Sequence, residues 1–249
     1  MNRINFTILM LVFTSLLFGQ QAEITQAEQA YQKADYTQAI ALYEQVVAKN
    51  GSTPDLYYNL ANAYYKKQDY AEAILNYERC LLLEPNHTDA IHNLAFANKQ
   101  IVDKIDQVDS FFLQSWIEQL SLIFSSNTWA YQAIFFFVIF LAGLFMYFFM
   151  RKLIFRKIGF FASICFLLLT LCCNGFASMQ KSRIEDRDYA IVYTSSVTVK
   201  SSPAESGTDL FVIHEGLKVK VTATLGEWSE VELADGNIGW VPSADITLI

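Results

Sequence analysis

The chain of 249 residues carries 25 Asp and Glu against 18 Lys and Arg, a formal charge of −7, and is 53% hydrophobic with only 17% charged residues. An acidic balance excludes a nucleic-acid binder, which needs a basic face to displace phosphate counterions. So little charge beside 20 Phe also excludes a chain that is soluble throughout and calls for membrane segments.

At the N-terminus, Asn2 and Arg3 precede the apolar run INFTILMLVFTSLLF, which closes on Gly19 and Gln20. Residues 1–20 read as a signal peptide, or as an uncleaved signal anchor, because no lipoprotein-type cysteine follows and only Gly19 meets the small-residue rule. Next comes a repeat. AEQAYQKADYTQAIALYEQVV, from Ala27 to Val47, returns without a gap as ANAYYKKQDYAEAILNYERCL, from Ala61 to Leu81. Tyr31 and Tyr65, Asp35 and Asp69, Ala39 and Ala73, and Tyr43 and Tyr77 coincide at a spacing of about 34 residues. Small Ala39 and Ala73 suit a close helix crossing, with Tyr43 and Tyr77 filling the space one turn on. Pro85 ends the second copy. A third begins at Asp89, where AIHNLAFAN mirrors LYYNLANAY and sets Asn93 over Asn59. Its second helix does not follow, and Ala97 to Lys104 is expected to form a polar capping helix.

This pattern resembles tetratricopeptide repeats, solenoids of antiparallel helix pairs whose concave surface binds peptides or proteins. By extrapolation from those families the first helix of each repeat lines the groove, offering Glu28, Tyr31, Tyr58, Asn59, Asn62, Tyr65, Lys66, His92, Asn93 and Phe96. Asparagine amides there pair with an extended peptide's backbone, or else with a neighbouring helix's own backbone. The basic clamp that chaperone-binding relatives use on a carboxylate tail is missing, with Ile24 and Tyr58 in its place, so an internal segment of a partner protein is the expected ligand. Two repeats and a cap fall short of the roughly three needed for independent stability, so residues 21–109 should lean on a partner or on the membrane-proximal helix.

Between Ser110 and Thr128 lies an amphipathic segment in which Phe112, Trp116, Leu120 and Ile123 recur at three-to-four spacing. It suits the membrane interface, or packing on the last repeat helix. Trp129 to Met150 is uncharged over about 22 residues and Ile158 to Phe176 over about 19, each long enough to cross about 30 Å of hydrocarbon. The connection at 151–157 holds Arg151, Lys152, Arg156 and Lys157, and the positive-inside rule places it in the cytoplasm. The soluble parts before and after the hairpin then share the opposite side, the periplasm of a bacterium. Cys165, Cys172 and Cys173 fall in the second span and Cys80 in the second repeat, which gives no disulfide framework. Cys172 and Cys173 read as small hydrophobes, or as a redox pair near the outer boundary.

After a linker at 177–187 the pattern becomes short and alternating, with turns at Gly207, Gly216, Gly226 and Gly236, which gives about five strands over 188–249. SVTVKSSP, HEGLKVKV, EWSEVEL and ADGNIGWVPSADI resemble bacterial SH3-like domains, departing from the family's VxVRSGP segment at Lys200 and Ser202. Trp228 and Trp240 are expected to fill the thin barrel core, with a ligand-binding surface as the other reading. His214, at a strand end, is expected to be merely solvated.

The order of parts resembles the Bat (Bacteroides aerotolerance) family in its E-type members. That resemblance implies a non-enzymatic scaffold in a membrane complex with von Willebrand factor type A partners and other repeat proteins, linked to oxidative or envelope stress. The alternative is an envelope sensor or anchor whose SH3-like domain binds cell-wall peptides. The expected fold class is a multidomain membrane protein: an all-α tetratricopeptide solenoid, a transmembrane helical hairpin and a small all-β SH3-like barrel. His87, His92 and His214 are the only histidines and form no chelating motif, so no enzyme, metal or cofactor is expected.

Overall fold

The computed structural model describes residues 23–51, 53–105 and 112–249. The segment read as a signal peptide or anchor lies outside them. The chain divides into two compact units, one of the repeats with the C-terminal β-module, the other centred on residues 109–187.

In the first unit, helix α1 covers 23–32, followed by α2 (Tyr36–Asn50), α3 (Pro54–Lys67), α4 (Tyr70–Leu83) and α5 (Thr88–Ala97). The repeat extends to its turns. Ala34 and Gln68 both take left-handed backbone (φ 61° and 68°), and Asp35 and Asp69 donate their amides back to the Ala30 and Tyr64 carbonyls, each at 3.0 Å. Asp35 then caps α2 by accepting from the Gln38 amide at 3.1 Å. In each copy the tyrosine near the end of the first helix meets the one opening the second edge-on, Tyr31 on Tyr36 at 5.4 Å and Tyr65 on Tyr70 at 5.6 Å. Ala39 and Ala73 are wholly buried at the helix crossings, with Tyr43 and Tyr77 closed over them.

The expected capping helix does not form. Helix α5 ends at Ala97 and residues 103–105 run without helix. Ile101 and Ile105 stand four apart, a spacing that would also serve one helix face, but Ile101 packs on the repeat core and Ile105 on the core of the β-module, which draws the segment out of helix.

The β-module is one antiparallel sheet of seven strands: β1 (Tyr189–Val192), β2 (Ser196–Lys200), β3 (Asp209–His214), β4 (Lys218–Leu225), β5 (Trp228–Glu232), β6 (Ile238–Pro242) and β7 (Ile246–Leu248). They lie in the order β3-β2-β6-β5-β4-β1-β7, bent by irregularities after Val199 and Val221. Seven strands arise where five were expected because the first run breaks at Tyr193 into β1 and β2, and a short strand follows the 3-10 turn Ser243–Asp245. Alternate β-branched residues, Val192, Val197, Val199, Ile213, Val219, Val231 and Val241, fill the core. Trp228 and Trp240 do not. They alternate with buried Ser229 and Val241 and stand half-buried on the opposite face. Lys200, at the departure from the family segment, bonds the Asp209 carboxylate at 2.9 Å and the Glu205 carbonyl at 3.0 Å, tying its own loop.

In the second unit, α6 (Phe112–Ser121) leads into α7 (Ser126–Phe149) and α8 (Leu153–Asp186). Both α7 and α8 are long and apolar enough to cross a membrane. The turn between them is short, so Arg151 and Lys152 occupy it while Arg156 and Lys157 already belong to α8, and the residues read as a linker are helical through Asp186. Gly159, Ser163, Thr170, Cys173 and Gln180 form the buried seam of α8, facing Trp129, Ala133 and Gly143 of α7. This spacing by threes, fours and sevens is a heptad seam built largely of small residues, which lets two backbones touch. The Ser121 carbonyl, left over at the end of α6, accepts from Trp129 Nε1 at 2.9 Å and Gln180 Nε2 at 2.8 Å, and Arg183 pairs with Glu118. Helix α6 thus rests on α8 with Trp116 exposed; Ile123 lies beyond the helix end.

Candidate functional site

The groove expected from the repeats is lined as a polar ladder. Asn93 Nδ2 of α5 donates to Asn62 Oδ1 of α3 at 2.8 Å and to the Tyr58 hydroxyl at 3.3 Å, and the Tyr77 hydroxyl donates to the same Asn62 oxygen at 2.6 Å. The ladder fixes each group's remaining capacity. Asn93 has spent its amide hydrogens, whereas Tyr58 accepts and keeps its own proton to offer elsewhere. Its ring is held against His87, 4.9 Å away, and against Tyr77, 6.2 Å away. His87 is itself fixed: its Nδ1 accepts from the Ala90 amide at 3.2 Å, capping α5, which leaves the proton of the neutral ring on Nε2.

Burial keeps the phenols protonated at neutral pH. It pushes Tyr43 up to about 12, with Glu28 and Tyr31 adding to the rise. Burial likewise raises Tyr31, helped by Tyr36 and Tyr58, and raises Tyr77 against the opposing bond from Asn93. The cluster is therefore a neutral aromatic surface with hydroxyl and amide donors, suited to an extended backbone and flat contact rather than to an anion.

Of the residues expected to line the groove, Tyr58, Asn62 and Asn93 are joined directly, and Tyr31 and Tyr65 stand in the same field of phenols. Asn59 is half-buried and makes no hydrogen bond through its side chain among the described residues. Glu28, Lys66 and His92 are exposed without joining the ladder, and Phe96 is 54% exposed with the Lys99 ammonium over its ring. Tyr77 and His87 are additions to the expected set. Tyr77 reads from sequence as a packing residue because its position in the repeat dictates burial, and only its hydroxyl reaches the ladder. The signal for His87 is its place three residues before the Ala90 amide, where helix-capping residues stand.

His214 is not merely solvated: its backbone amide donates to Asp103 Oδ2 at 2.6 Å and its ring Nδ1 lies 2.9 Å from Asp103 Oδ1. Among the described residues there is no cluster of three or more His, Cys, Asp or Glu able to hold a metal ion.

Comparison with protein families divides the chain in the same way. Residues 24–91 match the tetratricopeptide repeat family. Residues 195–247 match the bacterial SH3 domain family. The chain therefore combines a tetratricopeptide-like helical region, two long apolar helices and a bacterial SH3 module, and both matched modules are of types that typically mediate interactions without catalysis. Comparison with curated proteins finds none that matches the chain.

Proposed function

We propose that this protein is a membrane-anchored, non-enzymatic adaptor of a bacterial envelope complex, holding partner proteins through the repeat groove and the SH3 module. The observation that carries the reading is the ladder of Tyr58, Asn62 and Asn93, which leaves the Tyr58 proton and the Asn59 amide unspent among the described residues. A further support for anchoring by two spans comes from the soluble parts themselves. The repeats and the SH3 module pack on one another, with Ile191 of β1 buried in the repeat core, so the chain between them must leave and return to one side of any membrane it enters. Resemblance to the Bat family suggests a role in aerotolerance or envelope stress and partners with von Willebrand factor type A domains. Trp228 and Trp240, on the outer face of the sheet, favour cell-wall peptides as a second class of ligand for the SH3 module.

The test is co-purification from membranes in mild detergent. Combined in one variant, Asn59→Ala removes an amide that makes no side-chain hydrogen bond among the described residues, and Tyr58→Phe removes a hydroxyl whose proton is unspent there and whose oxygen accepts the 3.3 Å bond from Asn93 Nδ2. Two lost hydrogen bonds of about 1–1.5 kcal/mol each weaken partner binding by about 30- to 160-fold, while the chain loses no more stability than one internal hydrogen bond supplies, about 0.5–1.5 kcal/mol by urea unfolding. Undiminished recovery of the partner rejects the groove as its site.

A further inference from the structure

We propose that the SH3 module is the closing cap of the repeat solenoid, docked where the third repeat lacks its second helix, so that the two interaction modules act as one rigid receptor. The repeats end at α5 with no helix over residues 98–105, which leaves the flank of α4 to be covered by something else. What covers it is β1, the β3–β4 turn, where Gly216 meets Ile101 and Ile74, and the C-terminal Ile249.

Three features mark this contact as built. Residues 101–105 act as a strap: Ile101 packs into the repeat core, Ile105 into the barrel core, and Asp103 between them binds both the amide and the ring of His214. Strand β1 is buried on both faces, Ala190 and Val192 turning into the barrel while Ile191, fully buried, joins the repeat core with Ile249. Gly216 completes the fit: with φ of 85° and the position of a β-carbon only 2.5 Å from Ile101 Cγ2, the turn admits no side chain. Polar groups frame the apolar contact. Lys218 Nζ lies 2.6 Å from Glu78 Oε2, Arg79 donates to the Leu248 carbonyl at 3.0 Å and so covers the β7 edge, and the Tyr193 hydroxyl donates to Glu72. Burial raises the Glu72 carboxyl against the opposing bond from Tyr193.

A cap differs from a tethered neighbour in its effect on local opening, which hydrogen exchange of the full chain in detergent micelles measures. Ile101→Asp should speed amide exchange in α5 and in β1 together by about tenfold or more, leaving α7 and α8 unchanged. A charge swap guards against general misfolding. Lys218→Glu alone should accelerate exchange in both elements by about two- to fivefold, and adding Glu78→Lys should return them toward wild type. Unaltered exchange of α5 in Ile101→Asp, or a swap no better than the single changes, overturns the proposal.

Discussion

Replacing Tyr77 with alanine is expected to destabilise the repeat region by about 3–5 kcal/mol, as for other buried aromatic truncations, whereas Tyr77→Phe should cost about 0.5–1.5 kcal/mol, the net worth of one hydrogen bond. The difference follows from what each change removes. Tyr77 is 1% exposed and fills the space over Ala73 in the second repeat, so truncation leaves a cavity in a thin helical stack with few neighbours to collapse into it. Removing only the hydroxyl takes one donor from Asn62, whose oxygen still accepts from Asn93, so no buried polar atom is stranded. Urea unfolding of the full chain, followed by far-ultraviolet circular dichroism, separates the two variants. Equal losses would mean that the hydroxyl, rather than the ring, carries the stability of the stack.

Gly159→Leu is expected to open the α7–α8 hairpin. A β-carbon at Gly159 would stand 2.6 Å from the Gly143 carbonyl oxygen and 2.9 Å from the Tyr147 amide nitrogen, both backbone atoms that cannot turn aside. Overpacking of this kind costs about 1–3 kcal/mol and more where the backbone must move. Gly175 lies in the same helix with nothing within 4 Å of a β-carbon, so Gly175→Leu should be silent. Titration of mixed micelles with a denaturing detergent, read by Trp129 as the sole tryptophan, should show a lowered midpoint for the first variant only. Matching midpoints would contradict the seam.

Why some of this is legible in the sequence and some not has a physical basis. The repeat is a local rule applied twice: Tyr31 to Tyr43 and Tyr65 to Tyr77 place the same groups at the same turns, so helix boundaries and buried alanines follow from register alone. Residues 97–104 defeat that rule because Ile101 and Ile105, four apart as on a helix face, pack instead on two different cores, a tertiary choice that no local spacing announces. The tryptophans mislead for another reason. Large side chains suggest core, but alternation ties Trp228 to Glu230 and Trp240 to Pro242, on the face away from Val231 and Val241. The groove residues are readable as positions, while their hydrogen-bond directions are not, since they depend on how α3, α4 and α5 cross. The link between His214 and Asp103 joins residues far apart in the chain, and no local pattern announces it.

The central claim is that repeats and SH3 module face one compartment as a single anchored receptor, and cysteine accessibility tests it most directly. In a chain lacking its four native cysteines, Thr37→Cys in the repeats, Ser206→Cys in the SH3 module and Leu153→Cys at the start of α8 each supply one thiol at an exposed position or in a loop. Cells whose outer membrane is permeabilised are treated with a thiol reagent that cannot cross the inner membrane. The account predicts labelling of the first two variants and protection of the third until the inner membrane is lysed. Labelling of only one of the two soluble modules would contradict it, because modules on opposite sides of a membrane cannot share the core that Ile191 joins.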